Sequence, residues 1–156
     1  MNQTRRNVLR AGGGASLFTL LAAAGLLRPG SAQAAEWNQK AYAAKNIKDA
    51  LDALGAGNPA SSNDIVMTAP EIAENGAVVP VAALSKIPGT ESIAFLIAKN
   101  PTALAANFDI PSGTEASVST RVKLAQTSDV HVLVKAQGKY YMTKKEIKVT
   151  IGGCGG

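Results

Sequence analysis

Apolar residues recur at helical spacing early in the body of the chain and at strand spacing through the rest of it. Between residues 38 and 54, Ala44, Ile47, Leu51 and Leu54 fall on one helical face, with Lys45, Lys48, Asp49 and Asp52 mostly elsewhere. Asn46 is a weak point in this helix, but no proline interrupts it. Gly55 and Gly57 end it, and Pro59 confirms the stop. Trp37 and Tyr42 flank the apolar face and are read as packing residues. From Asp64 onward the pattern changes to short strands with punctuation. Strands are expected at 65–69, before Pro70, and at 77–81, where Pro80 argues for an edge or a bulge. Residues 91–99 alternate only loosely around Ile93, Phe95 and Ile97. Asn100-Pro101 and Pro111-Ser112-Gly113 are turn signals. Over 115–124 the alternation is clean. Ala116, Val118, Thr120, Val122 and Leu124 face one way, and Ser117, Ser119, Arg121 and Lys123 the other. Residues 129–135 repeat it, with Val130, Val132 and Val134 inward. Gln137-Gly138 turns the chain into a strand at 139–143. Lys144-Lys145-Glu146 then leads to a last strand at 147–151.

One helix followed by seven or eight short strands at regular spacing suits an all-β, immunoglobulin-like antiparallel sandwich. No Cys-Trp-Cys signature is present, so this expectation rests on spacing. The organisation reads as a leader over 1–34, a helix and linker over 35–60, a β-sandwich over 61–151 and a short terminal arm over 152–156.

The leader carries its own signals. Arg5 and Arg6, in Thr4-Arg5-Arg6-Asn7-Val8-Leu9-Arg10, form a twin-arginine export signal. An apolar stretch over 11–27 is softened by Gly12, Gly13, Gly14 and Gly25. Ala32-Gln33-Ala34 reads as a signal-peptidase site, with cleavage after Ala34. A transmembrane anchor is the competing reading. It is disfavoured because the run is short, glycine-rich and followed by small residues. No cysteine lies near the cleavage site, so a lipid anchor is excluded. The expected location is the periplasm. Twin-arginine export carries folded proteins, which implies a cofactor or a partner acquired beforehand. No cofactor motif appears, so a partner is favoured.

Cleavage also changes the charge. The chain has 16 Lys+Arg against 11 Asp+Glu. Arg5, Arg6, Arg10 and Arg28 leave with the leader and no acidic residue does, so 12 basic residues remain against 11 acidic. The case for nucleic acid or an anionic membrane disappears with them. The roughly 120 residues left suffice for one domain with one core.

The chemistry concentrates at Gly152-Gly153-Cys154-Gly155-Gly156. Cys154 is the single cysteine. In an oxidising compartment structural cysteines pair, so a lone one is a reactive or intermolecular thiol. Gly152, Gly153, Gly155 and Gly156 leave nothing bulky beside it and do not hold one backbone shape, as suits a flexible, narrow arm. Thiol pKa falls near cations, metals or helix N-termini. Here the nearest fixed charge is the α-carboxylate of Gly156, which raises it. The thiol is therefore presented rather than activated, and other proteins must act on its cargo. Elsewhere no active site emerges. His131, the only histidine, alternates with valines on the face of Asp129 and Lys135, and reads as an ordinary surface or interface residue. Asp64, Glu71, Glu74 and Asp109 have no pairing spacing. No metal ligand set or phosphate loop is expected, and the chain is read as non-catalytic. Pro80, Leu84 and the run Lys139-Tyr140-Tyr141-Met142 are candidate partner surface, with packing an equal alternative for the tyrosines.

The ending Glu146-Ile147-Lys148-Val149-Thr150-Ile151-Gly152-Gly153-Cys154-Gly155-Gly156 resembles the terminus of the SoxY family, sulfur carriers of the periplasmic thiosulfate-oxidising system. The resemblance implies a heterodimer with SoxZ, exported together, with sulfur intermediates carried on Cys154. It implies transient encounters with SoxAX, a c-type cytochrome that joins thiosulfate to the thiol. SoxB, a metal-dependent hydrolase, would release sulfate, and SoxCD, where present, would oxidise the remaining sulfane sulfur. Two exposed arms would also join through Cys154 as a disulfide-linked dimer under oxidising conditions. Three rivals remain. A ubiquitin-like carrier using Gly155-Gly156 needs ATP, which an exported protein lacks. A disulfide-exchange protein usually has Cys-x-x-Cys. A structural sandwich would leave Cys154 without a role.

Overall fold

The computed structural model describes residues 38–151. Two helices lead, where the spacing predicts one over 38–54. Helix α1 spans Gln39–Ala43 and α2 spans Ile47–Ala53. Asn38 caps the first, its Oδ1 accepting the Ala41 N–H at 3.1 Å. Asn46 caps the second, accepting the Asp49 N–H at 2.8 Å from an extended backbone. An asparagine side chain competes for local backbone donors, so it favours a cap over a helix interior, and this splits the periodic stretch. Gly55 closes α2 at φ 72°. There the Ala56 N–H reaches the Leu51 carbonyl and the Gly55 N–H that of Asp52, the paired closure that a left-handed glycine permits.

Nine strands follow among the described residues: β1 Ala60–Ser61, β2 Ile65–Thr68, β3 Ile72–Asn75, β4 Val79–Ser85, β5 Thr90–Ile97, β6 Leu104–Asp109, β7 Ser117–Val122, β8 Ser128–Ala136 and β9 Lys139–Ile151. The larger sheet runs β1-β9-β8-β5-β6, with β3 also on β9; the smaller runs β2-β4-β7. The two sheets enclose a core of Ile93, Phe95, Ile97, Val130, Val132, Val134 and Ile147 against Ile65, Val79, Val81, Ala83 and Val122. Phe95 and Phe108 meet edge to face at 6.4 Å. This is the all-β, immunoglobulin-like sandwich that the spacing predicts. The opposite face of the larger sheet packs Ala94, Leu96, Leu104 and Leu133 against Ala41, Ala50 and Leu51 of the helices. Covering β5 and β8 on both faces removes the alternation that a half-exposed strand shows, which is why 91–99 looks loose.

Residues 115–124 alternate as expected, with Val122 and Leu124 buried and Ser117, Ser119, Arg121 and Lys123 exposed. Pro80 lies in β4, the middle strand of its sheet. However, β2 pairs only with Ala82 to Ser85, so on that side Pro80 faces an open edge, where a missing N–H is harmless. Three expectations need correction. Strands β3 and β6 are absent from the sequence reading; their polar residues Glu74, Asn75, Asn107 and Asp109 hide them. The strands expected at 139–143 and 147–151 are one, β9. Its bridging residues stay extended because β8 pairs with them throughout, Asp129 holding Lys144 at 3.1 Å, while the Lys145 ammonium donates to the Ala69 carbonyl at 2.9 Å. The linker expected over 35–60 also ends inside the larger sheet, since Ala60 pairs in parallel with Tyr141.

Candidate functional site: the stem of the cysteine arm

Cys154, Gly152, Gly153, Gly155 and Gly156 lie outside the described residues, as do Arg5, Arg6 and Ala34. The described residues show what the arm is attached to. The pairing of β9 with β8 runs antiparallel from Ala136↔Lys139 to Ser128↔Ile147. Four more β9 residues follow, and different partners hold them. On the β8 side, Thr127 Oγ1 accepts the Val149 N–H at 3.0 Å. On the other edge β3 runs parallel, matching Ile72 with Lys148, Ala73 with Val149 and Asn75 with Ile151. The Lys148 N–H donates to the Glu71 carbonyl at 2.9 Å, and the Thr150 hydroxyl to the Glu74 carbonyl at 3.0 Å. Val149 and the buried Ala73 pack against the sandwich core. The stem is thus held on the β8 edge as far as Val149 and on the β3 edge as far as Ile151.

The loops around the stem are tied to one another. The Leu124 N–H donates to the Gly76 carbonyl at 2.7 Å. Asn100 bridges the same region, its Nδ2 donating to the Lys123 carbonyl at 2.7 Å and its Oδ1 accepting the Ala125 N–H at 3.0 Å. The Ser128 hydroxyl accepts the Lys99 N–H at 3.0 Å. In the sequence Asn100 reads only as a turn signal and Lys123 and Leu124 only as strand positions; Thr127 and Ser128 carry no signal. A threonine just before a strand carries no pattern of its own, and β3 lacks the alternation that would announce a clamp.

His131 corrects the sequence reading. It is 9% exposed, on the helix-facing side of the central strand β8 beside Leu96 and Lys144. Its Nδ1 is buried without a hydrogen-bond partner. Burial holds its pKa below the ordinary value; Asp129 partly offsets this and Lys144 adds to it. It is a neutral core histidine because β8 is covered on both faces. The other candidates stay apart. The Tyr140 hydroxyl donates to the Leu54 carbonyl at 2.8 Å and Tyr141 packs on the sandwich core, so both tyrosines pack inward. Leu84 is half-buried and Pro80 exposed. Asp64, Glu71, Glu74 and Asp109 form no metal-binding cluster; among the described residues no three acidic, histidine or cysteine side chains group to hold an ion.

A family model described as "Sulfur oxidation protein SoxY" matches residues 50–154, from within α2 through the sandwich and stem to Cys154 itself. The chain belongs to the SoxY family. The solved sulfur carrier protein SoxY from Chlorobium limicola f thiosulfatophilum is similar to it, with 39% identity and a TM-score of 0.58 over 66% of this chain and 96% of that one. A comparison with curated proteins gives no match. The SoxY match covers the stem and continues through Gly152 and Gly153 to Cys154.

Proposed function

We propose that the chain is a periplasmic sulfur carrier, exported by the twin-arginine route, working as a heterodimer with SoxZ and holding thiosulfate-derived sulfur covalently on Cys154. The observation that carries this reading is a stem paired with β3 through Ile151, the residue before Gly152-Gly153-Cys154, within a family match that includes the cysteine. A strand bonded along both edges is a rigid base, and glycines beyond it leave the thiol unobstructed. On this reading the chain is a non-catalytic carrier. In the reading, the Cys154 thiolate and thiosulfate form an S–S bond as two electrons pass to the haem groups of SoxAX, giving Cys154–S–S–SO3−. Water then attacks the terminal sulfur on SoxB, releasing sulfate and two protons and leaving a persulfide. SoxCD would oxidise that sulfur where it is present.

The test is the intact mass of the protein isolated from the periplasm of thiosulfate-grown cells, before and after reductant. Reductant-labile additions of sulfur or thiosulfonate on Cys154 are expected. Cys154→Ser should fold normally, bind SoxZ and support no thiosulfate-dependent electron transfer in a reconstituted system. Wild-type rates from that variant would overturn the proposal.

A further inference from the structure

The larger sheet ends in β6, which pairs only with β5, and the smaller ends in β7, which pairs only with β4. Between them lies an open groove of about 490 Å³, lined among others by Asn100, Thr102, Ala105, Thr120, Arg121 and Lys123. No acidic residue lines it. Neither Arg121 nor Lys123 takes part in an ion pair among the described residues. The groove is therefore a concave, cationic surface with uncommitted donors from two side chains and two strand edges.

Its position gives it an occupant. From the last stem residue, Ile151 pairs with Asn75; Asn75 precedes Gly76; the Gly76 carbonyl accepts the Leu124 N–H; and Leu124 follows Lys123. At roughly 5 Å per cross-strand step and 3.8 Å per residue, this path is no more than about 18 Å long. Three residues from Ile151 to Cys154 reach about 10 Å, and a loaded cysteine and a lysine stem each add about 6 Å at roughly 1.5 Å per bond. The tip can reach Lys123 with no change in the sandwich. Lys148, the cation nearest the root, shares its open sheet face with Glu146 and Glu74 on neighbouring positions, whereas the groove holds positive charge alone.

We propose that the β6–β7 groove is a resting site for the loaded arm, where Arg121 and Lys123 receive the anionic end group of the sulfur cargo on Cys154. This rests on the carrier reading for the nature of the cargo. A guanidinium offers paired donors to two oxygens of one oxyanion, and a lysine a point charge, so together they favour a sulfonate over a bare or neutral tip. Parking the cargo there would shield its S–S bond from stray thiols between encounters.

Loading by chemistry alone separates this proposal from the carrier reading. Tetrathionate converts Cys154 to Cys154–S–S–SO3−: the thiolate attacks an inner sulfur, that S–S bond breaks, and thiosulfate leaves. In the ¹⁵N-labelled protein, loading should shift the amides of Arg121, Lys123, Thr102 and Ala105 relative to protein capped with neutral iodoacetamide. In Arg121→Gln/Lys123→Gln those shifts should vanish, while β8 and β9 amides stay in place and report an intact fold. Release of the adduct by glutathione should be about fivefold faster in the double variant, as two partly exposed ion pairs allow. Absence of groove shifts on loading, shifts of equal size with the neutral cap, or equal release rates would each overturn the proposal. A bare Cys154 in cells with groove shifts in the loaded protein would instead overturn the carrier reading and leave the groove's affinity for the anion standing.

Discussion

Thr127→Val tests whether the stem fixes the root of the arm. The substitution keeps the shape of the side chain and removes the hydroxyl that accepts the Val149 N–H at 3.0 Å. One neutral hydrogen bond contributes about 1 kcal/mol, and leaving a part-buried donor unpaired costs about 1–3 kcal/mol. The parallel ladder to β3 remains on the other edge, including the Lys148 N–H to Glu71 at 2.9 Å, so the whole domain should survive. A net loss of about 1–2 kcal/mol, concentrated in the last turn of β9, corresponds to a 5- to 30-fold fall in local protection. Amide hydrogen exchange read by NMR should show that fall at Val149 and Ile151, with Val132 and Val134 unchanged. Thr127→Ser keeps the acceptor and should restore protection. A frayed stem frees three residues, 149–151, and lengthens the arm by about 10 Å. Wild-type exchange at Val149 in Thr127→Val would refute the idea that this hydroxyl substitutes for β8 beyond Ser128.

Gly153→Val should leave thermal unfolding within about 0.5 kcal/mol of wild type, while sulfur loading of Cys154 by SoxAX slows, because a β-branched neighbour obstructs a tip that must enter a narrow site; equal loading rates would remove the steric argument. The folded state takes up the His131 proton at lower pH than the unfolded chain does, so its contribution to stability is complete above the ordinary pKa of 6.5 and is lost as pH falls below it. His131→Leu should flatten the decline in urea unfolding between pH 7.5 and 5.5, since no other histidine is present; parallel slopes for the two proteins would show that His131 is not its source.

What the sequence discloses follows which faces of each strand are covered. Strand β7 has one face on the core and one in water, so Val118 and Val122 alternating with Ser117, Ser119 and Arg121 announce it. Strand β8 buries Val130, Val132 and Val134 on one side and Leu133 with His131 on the other, and the second covering, by the helices, leaves no mark in the alternation. That is why the valines were legible and the burial of His131 was not. Strand β3 is a harder case. Only Ala73 of its four residues is buried, and its extended form comes from pairing with a strand more than seventy residues later. The Cys154 motif was conspicuous as composition, whereas its mounting consists of backbone bonds and two threonine hydroxyls, which no residue pattern encodes.

The mounting bears on affinity as well as reach. Each residue ordered when an arm enters a pocket costs about 1–2 kcal/mol of backbone entropy. Every residue held in β9 by β3 and Thr127 is already ordered before any encounter. Freeing 149–151 would add about 3–6 kcal/mol to that cost, equivalent to two orders of magnitude or more in affinity for each enzyme visited. A longer tether therefore gains reach and loses binding. Under the proposed carrier function, weak but sufficient binding to each partner is the requirement. The pairing of β9 with β3 through Ile151, the residue before the glycines, would set that balance.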